Sequence, residues 1–413
     1  MKKIFTLFLA MAGFVGTTSA WTTVKLLNSI EGVWNSGATT IMTKIADGSN
    51  NYFYYILDSS GVTDQDGNYY FRIYVTDDGK FYGSYENDFK ILDYTNYGGK
   101  ESEYSFKLET DKSSKYIISV GYWESTWHFT ATTYSGTGTI TFVNTSNFSK
   151  PCAYVYCTGE ARLTGGWPGT EMTQNADGTY SLSNVNIGKT SKVIISDNGA
   201  SQIADQVFTD DLVIDGNGTA SDQTITMNEY GKATFCSKYP LDFSTVSPAG
   251  LTAYIITAAN KTTGILTTEA VTKVPANTGL YIEGTANASY SVTPIVTASD
   301  VSGNMLVGVT TNTSIGQENT NYIFTVNGEN GDVSTPKFFK VNQNGNTVTA
   351  GKAYLVVPNS ARQSFWFDNE ANSIDGVAQD SQFEGLTYNL AGQRVAQPTK
   401  GLYIVNGKKV IKK

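Results

Sequence analysis

Three aromatic residues, Tyr154, Tyr156 and Trp167, have the types and spacing of a binding platform. Successive side chains of a β-strand point to opposite faces, so Tyr154 and Tyr156 share one face of the segment 153–157. The small apolar residues of that segment share the other face and line a core better, which places the tyrosines outside. Trp167 lies in a Gly-Gly-Trp-Pro-Gly segment, where neither helix nor strand is expected to bury it. Exposed rings on stiff backbone suit a ligand with flat apolar faces and many hydroxyls, such as a sugar.

The chain that positions these residues is predicted to consist of β-strands. Of its 413 residues 16% are charged, whereas glycine (40) and tyrosine (26) are abundant, which is typical of turn-rich β-proteins. After the first twenty residues no window has a helical period. The sequence therefore predicts an all-β fold of several tandem β-sandwich modules, followed by a small C-terminal β-hairpin segment.

Turn signals and polar stretches divide the chain into five parts. Residues 1–20 resemble a signal peptide, because Lys2 and Lys3 precede an apolar run that is too short to span a bilayer and ends in small residues. No other segment is expected to cross a membrane as a helix. The polar segment Asn144–Lys150 precedes Pro151 and is predicted to be a linker. The predicted parts are a signal peptide at 1–20, an aromatic-rich β-sandwich at 21–147, a small β-sandwich at 150–220, a further β-sandwich at 224–370, and a spacer with a C-terminal segment at 371–413.

The small module at 150–220 resembles carbohydrate-binding module family 26, a family of starch-binding β-sandwiches. The resemblance covers about residues 151–215 and implies that Tyr154, Tyr156 and Trp167 form an aromatic cradle for starch or a related α-glucan. It also implies that Asn198 and Gln202 hydrogen-bond glucose hydroxyls. The family usually has threonine after the glutamine, where this chain has Ile203. The pieces that carry the resemblance are Tyr154-Val155-Tyr156, Gly166-Trp167-Pro168-Gly169-Thr170-Glu171-Met172, Val193-Ile194-Ile195-Ser196-Asp197 and Gln202-Ile203-Ala204-Asp205.

The end of the chain, at about residues 384–413, resembles the C-terminal sorting domain of type IX secretion. Tyr388–Val395 and Lys400–Val410 carry this resemblance, and Asn406-Gly407 within them favours a tight hairpin turn. The resemblance implies export by a Gram-negative bacterium, with release or attachment at the outer cell surface. Surface amylases or glycan-uptake proteins are the partners expected there.

A second aromatic group lies near the end of the first module. If residues 121–129 form one strand, Trp123, Trp127 and Phe129 share a face. Large aromatic residues dominate protein cores, so this face is either a core face or a second glycan platform.

Composition and motifs disfavour several other classes of function. A net charge of −8 disfavours binding to a nucleic-acid backbone. His128 is the only histidine, which excludes a multi-histidine zinc site, and the chain has no Cys-x-x-Cys, no Gly-x-Ser-x-Gly and no βα alternation. Cys152 and Cys157 would lie roughly 16 Å apart on one strand, too far to form a disulfide, so free buried thiols are predicted.

These exclusions predict a protein that is not an enzyme and needs no metal or cofactor. The alternatives are a surface adhesin or scaffold without starch specificity and, less favoured, a secreted glycoside hydrolase. A hydrolase would need two carboxylates that flank the scissile bond.

Overall fold

The structure is a computed structural model, and it describes residues 21–45, 51–86, 89–91, 97–157, 162–299, 301–316, 320–326, 336–341, 345–367, 387–389, 393, 395, 400–405 and 408–412. The described residues contain no α-helix and one short 3-10 helix, Ser59–Gly61. The predicted all-β fold is thereby confirmed. No described helix is long and apolar enough to cross a membrane. The predicted signal peptide at 1–20 and the residues 368–386 lie outside the described residues.

The first module is a sandwich of two connected sheets. Its strands are β1 Val24–Asn28, β2 Thr43–Lys44, β3 Tyr52–Asp58, β4 Asn68–Val75, β5 Lys80–Gly83, β6 Phe89–Ile91, β7 Tyr97–Glu101, β8 Phe106–Glu109, β9 Lys115–Trp123 and β10 Thr126–Phe142. Strands β2, β3, β9, β10 and β7 form one layer, and β1, β4, β5, β8 and β6 form the other. Alternation within β4 buries Tyr69, Phe71 and Ile73 between the layers.

The second module shares a strand with the first. Its own strands are β11 Pro151–Cys157, β12 Thr170–Glu171, β13 Thr173–Gln174, β14 Tyr180–Gly188, β15 Ser191–Asp197, β16 Gln206–Val207, β17 Leu212–Asp215 and β18 Gly218–Thr219. The first half of β10 pairs with β9, whereas its second half, Tyr134–Phe142, pairs with β14 and in part with β17. The segment Asn144–Lys150, predicted to be a linker, contains no strand, and the strand before it, β10, already pairs with strands of both modules.

The core of the second module lies between the sheet β13-β14-β10-β17-β18 and the sheet β12-β11-β15-β16. Ile140 and Phe142 of β10 are fully buried in it. Ile117, on the outer face of the first module, belongs to the same core, and Tyr54 and Ile56 of that face pack against it. The two modules therefore share apolar packing as well as a strand. The three cysteines are free and buried, which confirms the prediction.

The third part of the chain, predicted to be a further β-sandwich at 224–370, has two large apolar cores and one small cluster of buried apolar residues. Alternation in β22 and β25 sends Ala253 and Leu280 into one core and Ile256 and Tyr281 into the other. The strands are β19 Gln223–Thr226, β20 Lys232–Phe235, β21 Leu241–Ser247, β22 Thr252–Ala259, β23 Ile265–Val271, β24 Lys273–Val274, β25 Leu280–Glu283, β26 Ser289–Pro294, β27 Leu306–Val309, β28 Thr313–Ile315, β29 Asn321–Thr325, β30 Lys337–Lys340, β31 Asn346–Val348, β32 Lys352–Val356 and β33 Ser364–Phe367.

A four-stranded sheet, β19-β26-β21-β24, covers one face of a nine-stranded sheet that runs from β20 to β27. At the C-terminal end β34 Thr387–Tyr388, β35 Gly401–Val405 and β36 Lys408–Lys412 form a separate antiparallel sheet. The pairing of β35 with β36 confirms the predicted hairpin, whose two turn residues lie outside the described residues.

Candidate glycan-binding site

The two tyrosines of β11 lie on the outer face of the second module, as strand alternation predicts. Ala153, Val155 and Cys157 are completely buried, whereas Tyr154 and Tyr156 are half-buried. The tyrosine rings are stacked with an offset, with centroids 5.5 Å apart and planes 20° apart. They offer two neighbouring, nearly parallel apolar surfaces.

Trp167 stands next to these rings at a steep angle. Its side chain is 44% exposed, the highest value of any tryptophan among the described residues. Its centroid lies 5.5 Å from that of Tyr154, and the two planes are 77° apart. The three rings therefore form an angled cradle instead of a flat platform.

The loop that carries Trp167 is fastened to β11. The hydroxyl of Thr164 accepts a hydrogen bond from the amide of Val155 at 2.7 Å and donates one to the carbonyl of Ala153 at 3.0 Å. Gly169 has a φ of +88°, and a Cβ there would lie 2.2 Å from the same carbonyl oxygen. Only glycine fits this approach, so the loop is pressed against the strand that carries the tyrosines.

The turn after β15 supports the indole from the other side. A Cβ on Gly199 would lie 2.9 Å from Nε1 of Trp167, so the turn and the ring are in contact. Asp197 fixes the turn by accepting hydrogen bonds from the amide of Lys150 at 2.7 Å and the hydroxyl of Ser149 at 3.0 Å. The amide of Lys150 contributes most to holding the pKa of Asp197 below its usual value.

The two predicted hydrogen-bonding residues lie on or beside this turn. Asn198 is exposed and neighbours Gly199, so the structure brings it close to Trp167. Gln202 is exposed, and its backbone bridges to Ser196 at the end of β15. Ile203, the departure from the family pattern, is 7% exposed and packs into the module core. Its apolar side chain therefore fills core space and leaves Gln202 pointing outward.

An ion pair borders the site at Tyr156. The tyrosine hydroxyl donates a hydrogen bond to Oδ2 of Asp205 at 3.1 Å, and the ammonium of Lys192 lies 2.7 Å from the same oxygen. Lys192 lowers the pKa of Asp205 most, with the Tyr156 hydroxyl contributing, and desolvation together with Asp205 raises the pKa of Tyr156 to about 12. At neutral pH Tyr156 is therefore a neutral phenol and Asp205 a carboxylate.

Sequence reasoning missed two apolar neighbours of the cradle. Ile194 pairs with Tyr154 across β11 and β15, and Val207 pairs with Lys192 across β15 and β16. Val207 is 65% exposed, the highest value among the large apolar residues described. The sequence alone does not give the pairing of strands. Tyr156, Lys192 and Val207 are seen to lie in one row only when the register of β11, β15 and β16 is known.

Of the two alternatives for Trp123 and Trp127, a core face or a second glycan platform, the structure supports the core face for Trp127 and gives neither residue the geometry of a platform. A hairpin turn at Glu124 and Ser125 separates the two residues, so Trp123 pairs with Thr126 and points to the opposite face from Trp127. Trp127 has no exposed surface and packs in the first core. Trp123 is sandwiched, with the imidazole of His128 at 3.6 Å and the Arg162 guanidinium at 4.2 Å from its ring centroid. Neither indole presents a free face to a sugar.

The comparison with known protein families agrees with this geometry. Residues 140–208 match the family model of starch-binding module 26. The match begins at Ile140, inside the shared strand β10, and ends at Phe208, just after Val207. The whole cradle and its bordering ion pair therefore lie inside the matched segment. No solved structure matches the chain.

Proposed function

We propose that this protein binds α-glucan chains such as starch through Tyr154, Tyr156 and Trp167 and performs no chemistry on them. The observation that carries the proposal is the 77° angle between the rings of Tyr154 and Trp167. A sugar ring stacks its C–H face on an aromatic ring, so successive glucose units on these two rings must change direction. Starch chains curve in this way, whereas cellulose-like chains are flat.

The expected affinity is modest. Each sugar–aromatic stack contributes on the order of 0.5–1.5 kcal/mol beyond buried area, by analogy with aromatic pairs. Each hydrogen bond from Asn198 or Gln202 adds about 1 kcal/mol net of water. After the cost of ordering the ligand, a micromolar to millimolar dissociation constant follows. Such affinity suits a protein that meets many repeats of one polymer.

We place this binding outside the cell. The signal-peptide pattern at 1–20 and the sorting-domain resemblance at 384–413 support export to the outer surface of a Gram-negative bacterium or release from it. There the protein would concentrate starch for surface amylases or glycan-uptake proteins, or tether the cell to granules. The angled cradle favours this role over that of an adhesin or scaffold without starch specificity.

Migration through a native gel containing amylopectin tests the proposal. We expect the full chain to be retarded relative to a plain gel and Trp167→Ala to migrate almost freely. Tyr85→Ala is the matched control, because Tyr85 is 57% exposed in the first module, outside the cradle. It should be retarded as strongly as the wild type.

A wild-type chain that runs as freely with amylopectin as without it would contradict starch binding. Equal retardation of the wild type and Trp167→Ala would place the site elsewhere. Release of reducing sugar from starch would instead support the hydrolase alternative.

A further inference from the structure

The loop that carries Trp167 packs against a residue of the first module. A Cβ built on Gly166 would lie 2.8 Å from the hydroxyl of Tyr52 and 3.1 Å from its ring, and its three nearest atoms all belong to Tyr52. Tyr52 begins β3 of the first module and is 5% exposed. The residue directly before Trp167 therefore rests against a different module.

Tyr52 is itself held by a stack of side chains where the first and second modules meet, which we call the junction and which consists of Trp123, His128 and Arg162. Nη1 of Arg162 donates a hydrogen bond to the Tyr52 hydroxyl at 2.8 Å. The ring of Tyr52 stacks on Trp123, with centroids 5.7 Å apart and planes 20° apart. The guanidinium of Arg162 covers the same indole, while His128 lies parallel to it. Contacts on several sides fix the position of the Tyr52 ring.

Arg162 also connects this stack to the cradle. Its backbone bridges to that of Tyr156, one of the two platform tyrosines. The junction thus touches the cradle at two points, through Gly166 beside Trp167 and through Arg162 beside Tyr156. Both points lie on the segment 162–169 that carries the indole.

We propose that the α-glucan site is assembled from two modules, with Tyr52 as a positioning residue that sets the orientation of Trp167. This inference rests on the proposed function, because it assumes that the cradle binds α-glucan. Tyr52 does not touch the sugar. It backs the loop so that the angle between Trp167 and Tyr154 is fixed before the ligand arrives, which lowers the cost of ordering the site on binding.

A double-mutant cycle in the full chain tests this role, with maltoheptaose as the probe and calorimetry as the measurement. Gly166→Ala places a methyl group against Tyr52, pushes the loop outward and should raise the Kd about fivefold, the loss of roughly one stack. Tyr52→Ala should also raise the Kd. Because Tyr52→Ala opens the space that the methyl needs, adding Gly166→Ala to it should have no further effect.

A second readout separates positioning from general destabilisation. The indole N–H resonance of Trp167, assigned in ¹⁵N-labelled protein with Trp167→Phe, should shift in Gly166→Ala without ligand and return toward its wild-type position in Tyr52→Phe/Gly166→Ala. Tyr52→Phe removes the atom nearest to the added methyl and keeps the buried ring, so it also serves if Tyr52→Ala does not fold. In that background the effect of Gly166→Ala on the Kd should be smaller.

The inference is overturned if Gly166→Ala leaves the Kd within about twofold of wild type, or raises it equally in every Tyr52 background. That outcome differs from failure of the proposed function, in which the wild type does not bind maltoheptaose or Trp167→Ala binds it equally well.

Discussion

The ring of Tyr154 meets the indole of Trp167 at 77°, with the two centroids 5.5 Å apart. Edge-to-face contact is a favoured arrangement of aromatic pairs, so the two residues stabilise each other's orientation without ligand. Tyr156 extends the tyrosine side of the cradle, which we call one arm, because its ring lies nearly parallel to that of Tyr154. The shape of the site is thus set by rings on a strand and a fastened loop.

This angle predicts discrimination between glucans by the shape of their chains. Maltoheptaose, which curves, should bind with a Kd at least about tenfold lower than that of cellohexaose, because a flat chain reaches only one arm of the cradle and loses a stack with its hydrogen bonds. Calorimetry with both oligosaccharides measures the ratio. Equal affinities would show that the angle does not select the ligand.

The contact between Gly199 and Trp167 predicts a second effect on binding. Gly199→Ala should raise the Kd for maltoheptaose severalfold, because its methyl would lie 2.9 Å from Nε1 of Trp167 and displace the indole. Gly199 also has a φ of +86°, so the substitution strains the backbone as well.

Gly79→Ala separates the two causes. Gly79 has a φ of +71°, and an added Cβ would meet nothing within 4 Å. It should carry the same kind of strain and lower the melting temperature, yet leave the Kd unchanged. If both variants changed the Kd alike, displacement of Trp167 would not be the reason.

The ion pair beside Tyr156 predicts a flat pH profile. Lys192, with the Tyr156 hydroxyl, lowers the pKa of Asp205 from 3.8, so the contribution of this pair is present above that value and is lost only as the pH falls through the lowered pKa. Tyr156 stays neutral because its pKa is raised to about 12. We expect the Kd for maltoheptaose to stay constant from about pH 5 to about pH 9.

Asp205→Asn provides the comparison for that profile. Because the pair is partly exposed, its loss should cost at most about 1 kcal/mol of binding or folding free energy. A Kd that rises sharply between pH 7 and pH 5 in the wild type would contradict the lowered pKa of Asp205. Calorimetry across the pH range with both proteins is the measurement.

Strand alternation predicts correctly which face Tyr154 and Tyr156 lie on, but it does not do so for Trp123 and Trp127. Around Tyr154 the apolar residues are small and the outward residues are large, so parity identifies the faces. Around Trp123 both faces of β9 and β10 are covered, one by the first core and one by the second module. The turn at Glu124 then reverses the parity. Residue type alone does not reveal this turn, and only an uninterrupted strand over 121–129 would bring Trp123 and Trp127 to the same face.

The contribution of Tyr52 to the site could not be predicted from the sequence. It precedes Gly166 by more than a hundred residues, and the two are brought together by the shared strand β10 and the packing between the two modules. A polar segment before Pro151 indicated a linker, and the segment is irregular. The position of this segment in the chain does not show that β10, the strand before it, belongs to a sheet of the first module and to a sheet of the second.

The burial of Trp127 predicts a large effect on stability. Trp127→Ala should lower the free energy of unfolding by about 3–5 kcal/mol, because it leaves a cavity in the first core. Trp167→Ala, at an exposed position, should change it by less than about 1 kcal/mol. Denaturant unfolding of both variants checks the contrast. A small effect of Trp127→Ala would contradict its place in the core.

The shared strand β10 predicts that the second module does not fold when cut at the linker. A fragment 150–220 lacks Ile140 and Phe142, which are fully buried, and the strand between β14 and β17. Without them β14 and β17 each lose one of their two hydrogen-bonding partners, and the core is open on one side. We expect no cooperative thermal transition by circular dichroism and no binding of maltoheptaose. A chain spanning 21–367 keeps β10 with both cores that contain its residues and should show both properties. Cooperative melting of 150–220 would show that β10 is dispensable, and its binding of maltoheptaose would show that the cradle forms without Tyr52.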